Sequence, residues 1–264
     1  MKKSIQWFVK GVGKQIDKVY FTLKPYYTWV LNKRSTVQTP DPKAIPIIIN
    51  NRNRYTFLLQ LIEALELRGY TNIHILDNDS DYPPLLEYYA RTKHSVHFLH
   101  ANLGHIALWR SGLIKQFESN YFVYTDPDVV PIDACPDNFM ELFLEVMSKH
   151  PLVEKVGFGL AIDDLPDCFE KKEEVIQWEQ QFWQNSIEQN PPLYRAAIDT
   201  TFALYRPWYK LGGWLKSPNI RTGYPYLAYH KPWYNDSNHL SEEELYYINH
   251  CQTISHWIAD SYKK

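Results

Sequence analysis

Apolar and polar positions fall into blocks along this chain, and the blocks read as strands alternating with helices. Ala44-Ile45-Pro46-Ile47-Ile48-Ile49 is an apolar run closed by the polar loop Asn50-Asn51-Arg52-Asn53-Arg54, the pattern of a buried first strand. Tyr55 to Gly69 then places Leu58, Leu59, Ile62 and Leu65 at helical spacing, with Gly69 as the C-cap. A strand from Asn72 to Leu76 runs into Asp77-Asn78-Asp79-Ser80, a helix covers about Pro84 to Thr92, and a third strand spans Ser95 to Leu99. Asn102-Leu103-Gly104-His105 opens a helix to about Phe117, which leads into the strand Tyr121-Phe122-Val123-Tyr124. This βαβαβαβ order predicts a mostly parallel sheet flanked by helices, an α/β fold.

Beyond Pro131 the periodicity predicts a helix over Asp137 to Met147, a strand from Val156 to Ile162 and a charged amphipathic helix over residues 169–186. A strand from Ala196 to Tyr205 follows. Trp208 to Tyr234, dense in Trp, Tyr, Pro and Gly, reads as a long irregular segment, and such segments in a domain are usually functional. The last helix, about Ser241 to Ala259, begins Ser241-x-x-Glu244, a capping box. At the other end Ile5, Phe8, Val12, Ile16, Val19 and Leu23 keep the helical period while Lys10, Lys14 and Lys18 line the opposite face. Residues 1–43 thus divide off as a basic amphipathic helix and a Pro/Thr linker, leaving 44–264 as the main domain.

Charge sharpens that division. Residues 1–34 hold eight Lys/Arg against Asp17 alone, a balance of +7, so the formal net charge of −2 leaves −9 on the remainder. An acidic body argues against nucleic acid as partner, whereas the basic helix suits an anionic membrane surface. The alternative for that helix is packing on its own domain or on a second subunit. Cys135, Cys168 and Cys251 are odd in number and lack Cys-x-x-Cys spacing, which fits a reducing cytoplasm without disulfides or zinc. No run reaches the length of a spanning helix or has the form of a signal peptide. The expected location is cytoplasmic, peripheral on the inner face of a membrane if the helix docks there. His94, His97, His100 and His105 do not read as a metal site, because strand positions three apart point to opposite faces.

The candidate chemistry lies at Thr125-Asp126-Pro127-Asp128. Pro127 forces the backbone out of regular pairing at a strand end, leaving two carboxylates where open α/β sheets bind ligands. Two hard oxygen donors one residue apart suit Mg²⁺ or Mn²⁺, and an Asp-Pro turn with solvated acids is the plain alternative.

Together these motifs resemble the nucleotide-binding half of the GT-A (nucleotide-diphospho-sugar transferase) glycosyltransferases, particularly family 2. Asn50-Asn51-Arg52-Asn53-Arg54 is similar to that family's Pro-Thr-Tyr-Asn-Arg, and Asp77-Asn78-Asp79-Ser80 to its Asp-Asp-x-Ser. Asn102-Leu103-Gly104 and Arg110, sixteen residues before Asp126, follow in the same order and spacing. The resemblance covers residues 45–131 and divides the main domain into a nucleotide-binding half, 44–131, and an acceptor-side half, 132–264. It implies that Asn51, Arg52, Asp77, Arg110 and Asp126 contact a nucleoside diphosphate sugar, with uridine as the expected base. Asp126 and Asp128 would hold Mn²⁺ or Mg²⁺, with His230 as a third ligand, and a glycan or glycolipid hydroxyl would accept the sugar.

The second half departs from the family. Leu211-Gly212-Gly213-Trp214 resembles its Gly-Gly-Phe, but Leu215 to Tyr229 lacks the acids that should follow, so the general base passes to Asp199 or Asp236. Two rival readings stand beside this one. A sugar-1-phosphate nucleotidyltransferase would need a Gly-rich loop where Asn50 to Arg54 has no glycine. The other rival is a non-catalytic scaffold recruited to the membrane.

Overall fold

Most apolar blocks of the first half fold where their periodicity places them. The structure, a computed structural model, describes residues 40–211, 218–251, 257, 258 and 260–262 and four positions of the N-terminal segment. Those four, Leu23, Tyr26, Tyr27 and Val30, are helical and exposed. The rest of the basic helix, most of the linker and the Gly212-Gly213-Trp214 likeness lie outside the described residues.

Strand β1 (Ile47–Asn51) is buried along its length, and helix α1 (Thr56–Leu67) buries Leu58, Leu61, Ile62 and Leu65 in the same core. Gly69, at φ +79°, turns the chain out of α1 as the C-cap pattern predicts. Then come β2 (Ile73–Asp77), α2 (Pro83–Tyr89), β3 (Ser95–Phe98), α3 (Ala107–Arg110) and β4 (Phe122–Thr125). Strand β1 pairs in parallel with both β2 and β4, and β2 with β3, so each of these strands ends at the same edge. The helix expected from Asn102 to Phe117 is instead three short turns. Gly112, in the left-handed region at φ +78°, separates α3 from a 3₁₀ turn at Leu113–Gln116.

The second half comprises β5 (Val129–Pro131), α4 (Phe139–Lys149), β6 (Lys155–Leu160), α5 (Lys172–Glu179), β7 (Ser186–Gln189), β8 (Pro192–Arg195), β9 (Ala203–Tyr205), β10 (Asn219–His230) and α6 (Glu242–His250). All join one ten-stranded sheet in the order β3-β2-β1-β4-β9-β6-β10-β8-β7, with β5 on β10. Strands β5, β8 and β9 run against the other seven, so the sheet is mixed but mostly of one direction. One core cluster, with α1, α2 and α4, covers one face; a second, with α3 and Tyr124, Tyr205 and Tyr209, covers the other. Among the described residues no helix is long and apolar enough to cross a membrane.

Three expectations fail here. The expected strand from Ala196 shrinks to Ala203–Tyr205, and the expected helix over 169–186 shortens to α5 and a 3₁₀ turn at Gln180–Trp183, with Ser186 already in β7. The largest miss is β10, a twelve-residue strand through the middle of what reads as a loop. Its Pro225 lies in the register shift between Thr222 and Leu227, where no ladder bond is lost.

Candidate functional site

At the carboxyl ends of β1, β2 and β4 the chain leaves the sheet through polar residues, and these line a pocket of about 570 Å³. Asn50, Arg52, Arg54, Asn78, Asn102, Arg110, Asp126, Asp128 and His230 all reach its wall. Local backbone strain fixes the strand ends: Asn53 and Asp79 hold φ of +53° and +69°. Asn53 is fully buried; its amide donates to Asp81 and its carbonyl oxygen accepts from the Asp81 and Tyr82 N–H groups, tying the two loops together.

Register brings His230 to the acids. Strand β10 runs antiparallel to β5 with His230 opposite Val129, so the imidazole lands beside Asp128, its Nε2 3.9 Å from Oδ1. The Lys231 N–H donates to the Asp128 carbonyl at 2.8 Å and locks the crossing. Asp126 accepts at Oδ2 from the Thr200 hydroxyl, while its own N–H donates to the Thr200 carbonyl at 3.1 Å. Burial first, and then the Asp128 charge, push the Asp126 carboxyl well above the usual carboxylate range; Thr200 works the other way. Burial lowers the His230 pKa, outweighing Asp128, so the imidazole is neutral near pH 7.

The far wall comes from the C-terminal helix. Glu244 on α6 forms a buried ion pair with Arg54, whose guanidinium also lies 3.6 Å over the Tyr247 ring. Glu243 accepts from the Tyr55 and Thr56 N–H groups and the Thr56 hydroxyl, supplying α1 with the N-terminal cap its own sequence lacks. Arg52 donates to the His250 carbonyl at 2.8 Å. Leu240, Tyr247, Ile248 and Trp257, with Phe169 and Pro232, make this end of the pocket largely apolar and aromatic.

Of the residues expected at the site, Arg52, Arg110, Asp126, Asp128 and His230 converge. Asn51 and Asp77 do not reach the wall. Both are buried beneath it, the Asn51 amide donating to the Tyr89 hydroxyl and Asp77 accepting from the Ser80 N–H. Strand alternation explains this: Asn51 and Asp77 point to the α1 side of the sheet with Ile49 and Ile75. Their neighbours Asn50 and Asn78 face the other side and take the wall positions. Asp199 is exposed and off the wall, one residue from Thr200. Asp236 is also off the wall, its carboxylate accepting from the Asn238 N–H and contacting His239 Nδ1 at 2.9 Å. Arg54, Glu244, Tyr247 and Thr200 escape sequence reasoning, because the capping-box pattern accounts for Glu244 without a partner elsewhere.

A divalent cation fits the donor set. Asp128 Oδ1 is buried without a hydrogen-bond partner, His230 Nε2 faces it at 3.9 Å, and a cation there would offset the burial and the Asp128 charge that disfavour ionised Asp126. Among the described residues no three His, Cys, Asp or Glu side chains are already gathered as a ligand set. Asp126, Asp128 and neutral His230 would hold the cation with ligand oxygens completing the shell. Compared with protein-family models and with curated proteins, the chain matches none.

Proposed function

We propose that this chain is a metal-dependent glycosyltransferase of the GT-A type, moving a sugar from a nucleoside diphosphate sugar to a hydroxyl of a surface polysaccharide or glycolipid. The observation that carries this reading is the meeting of Asp126, Asp128 and His230 with Arg52, Arg110, Asn50 and Asn78 in one pocket beyond the carboxyl ends of parallel strands. Amides and arginines at one end suit a base, ribose and phosphates; the aromatic end suits the acceptor. Bound Mn²⁺ or Mg²⁺ would offset the charge that grows on the departing diphosphate.

In the transfer the acceptor oxygen bonds to the anomeric carbon as the bond from that carbon to the diphosphate oxygen breaks. The hydroxyl proton goes to a base. Neither candidate lines the pocket, but Asp199 adjoins Thr200 and its charge acts on Asp126, which makes it the better one, whereas Asp236 is occupied by its own turn. Uridine as the base rests on the family resemblance.

Titration calorimetry with UDP, with and without Mn²⁺, tests the reading. Mn²⁺-dependent binding that falls roughly 100-fold or more in Asp128→Ala is the expected outcome. Absence of UDP binding under both conditions would reject the enzyme and leave the scaffold. Pyrophosphate release from a nucleoside triphosphate and a sugar 1-phosphate would point instead to the nucleotidyltransferase.

A further inference from the structure

The segment before β9 has no regular structure, yet two buried cations hold it. Arg221 Nε, on β10, donates to the Ala197 carbonyl at 2.7 Å. Lys155 Nζ, on β6, donates to the Ile198 carbonyl at 2.7 Å and reaches the Asp199 carbonyl at 3.5 Å. Both residues are 3% exposed, and Arg221 is balanced by Glu179, itself buried. Burying charge is costly unless its donors are met, so spending two cations on three successive carbonyls needs a reason beyond closing a loop.

The next residue supplies one. Thr200 is exchanged in two hydrogen bonds with Asp126: its hydroxyl donates to Oδ2 and its carbonyl accepts from the Asp126 N–H. With Oδ2 engaged, Oδ1 is the oxygen left to face a ligand. Turning this carboxylate about its Cβ–Cγ bond would break the bond from the Thr200 hydroxyl, so that bond fixes how the carboxylate is presented. Residues that orient a first-layer carboxylate in this way govern how tightly a metal binds although they never touch it.

We infer that Thr200 is a positioning residue for Asp126, set in place by Lys155 and Arg221, and that it determines the affinity of the site for a divalent cation together with a nucleoside diphosphate. This rests on the reading of Asp126 and Asp128 as a cation site. The role belongs to the hydroxyl rather than to the side-chain volume, since the bond to Oδ2 is what holds the carboxylate. Valine matches threonine in shape and lacks the donor; serine keeps the donor and loses only a methyl.

The test uses the full chain, with Mn²⁺ and UDP as probes, and follows free Mn²⁺ by electron paramagnetic resonance. Thr200→Val is expected to weaken Mn²⁺ binding in the presence of UDP about 10- to 100-fold. Thr200→Ser should restore it to within about threefold of wild type, a margin small beside the outer-shell effect it is measured against. Thermal denaturation of both variants separates this from misfolding, because a merely structural role would lower the midpoint and the affinity together in both. Wild-type affinity in Thr200→Val, or failure of serine to rescue a folded protein, overturns the inference while leaving the cation site standing. No Mn²⁺ binding by the wild-type chain overturns both.

Discussion

The two halves of the sheet bury polar groups in opposite ways. Around β1 and β2 the buried polar residues are mainly amides, Asn50, Asn51, Asn53 and Asn78, and several polar atoms there, such as Asn50 Oδ1 and Arg52 Nε, have no partner. Around β6, β9 and β10 they are mainly ions, Lys155, Glu179, Arg206 and Arg221, each fixing backbone or another ion, with the buried, unpartnered Asn219 amide at the start of β10 as the exception. Arg206 alone donates to the Met147, Val153 and His150 carbonyls. An unfilled valence at a strand end is room for a ligand; a filled one in an irregular region is a fastening. One half thus presents unpartnered polar groups at the strand ends that line the pocket, and the other keeps long-range pieces in register so that His230 and Thr200 meet its acids.

The comparison breaks most severely if a fastening is cut. Glu179 and Arg221 are paired at 2.7 Å with side chains 4% and 3% exposed. Burial acts first on both groups, raising the Glu179 pKa and lowering that of Arg221, and each holds the other in its charged form against it. Glu179→Ala strands the guanidinium and is expected to cost about 3–5 kcal/mol in urea denaturation. Adding Arg221→Met should recover much of that loss, because the desolvated charge goes with it. A single-variant cost below about 1 kcal/mol, the range of an exposed pair, would mean the pair is not a fastening.

The contrast also explains what could be read from the sequence. In the first half each strand and the helix after it are neighbours in the chain, so apolar periodicity and the turn residues Gly69 and Asn53 carry nearly the whole arrangement. The acids around Pro127 stood out for the same reason. Motif and pocket differ by one residue: Asn51 and Asp77 match the motif, but pleating turns Asn50 and Asn78 to the pocket. In the second half, β10 takes β5, β6 and β8 as partners from as far away as residue 129, and no local pattern announces such pairings. Pro218, Gly223 and Pro225 read as loop signals, although they flank or interrupt the strand rather than prevent it. Ser241-x-x-Glu244 was half legible: Ser241 does accept from the Glu244 N–H, but the Glu244 carboxylate pairs with Arg54 instead of closing the box.

That half-box offers a gentler way to sharpen the comparison, since α6 is where the second half reaches over the first. Ser241 caps the N-terminus of a helix whose Glu243 and Glu244 grip the loop after β1. Ser241→Ala is expected to cost about 1 kcal/mol in denaturation. Because Glu244, Tyr247 and Ile248 line the pocket, the same change should weaken UDP binding modestly. Lost stability with unchanged UDP affinity would show that the helix end frays without moving the pocket wall.

The smallest effect concerns protons in the first half. His74 and His97 stack across β2 and β3, with His74 Nδ1 3.1 Å from His97 Nε2 and His74 Nε2 3.1 Å from Asn72 Oδ1. The Asn72 amide nitrogen donates to the Ala44 carbonyl, so its oxygen accepts, His74 carries its proton on Nε2, and His97 donates from Nε2 to the bare Nδ1. This chain of bonds requires His74 to be neutral, since a proton on its Nδ1 would leave His97 without an acceptor. Burial lowers both pKa values below 6.5, and for His74 the neighbouring His97 adds to the effect. A histidine with a depressed folded pKa contributes its full stability above the unfolded value and loses it as pH falls through about 6.5 towards the folded one. The denaturation midpoint should therefore drop between pH 7 and 5. His97→Gln, which keeps a donor to Nδ1 but cannot titrate, should make the drop shallower. An equal slope in wild type and variant would place the proton uptake elsewhere, with His94 on Glu66 the next group to replace, since burial depresses it in the same direction.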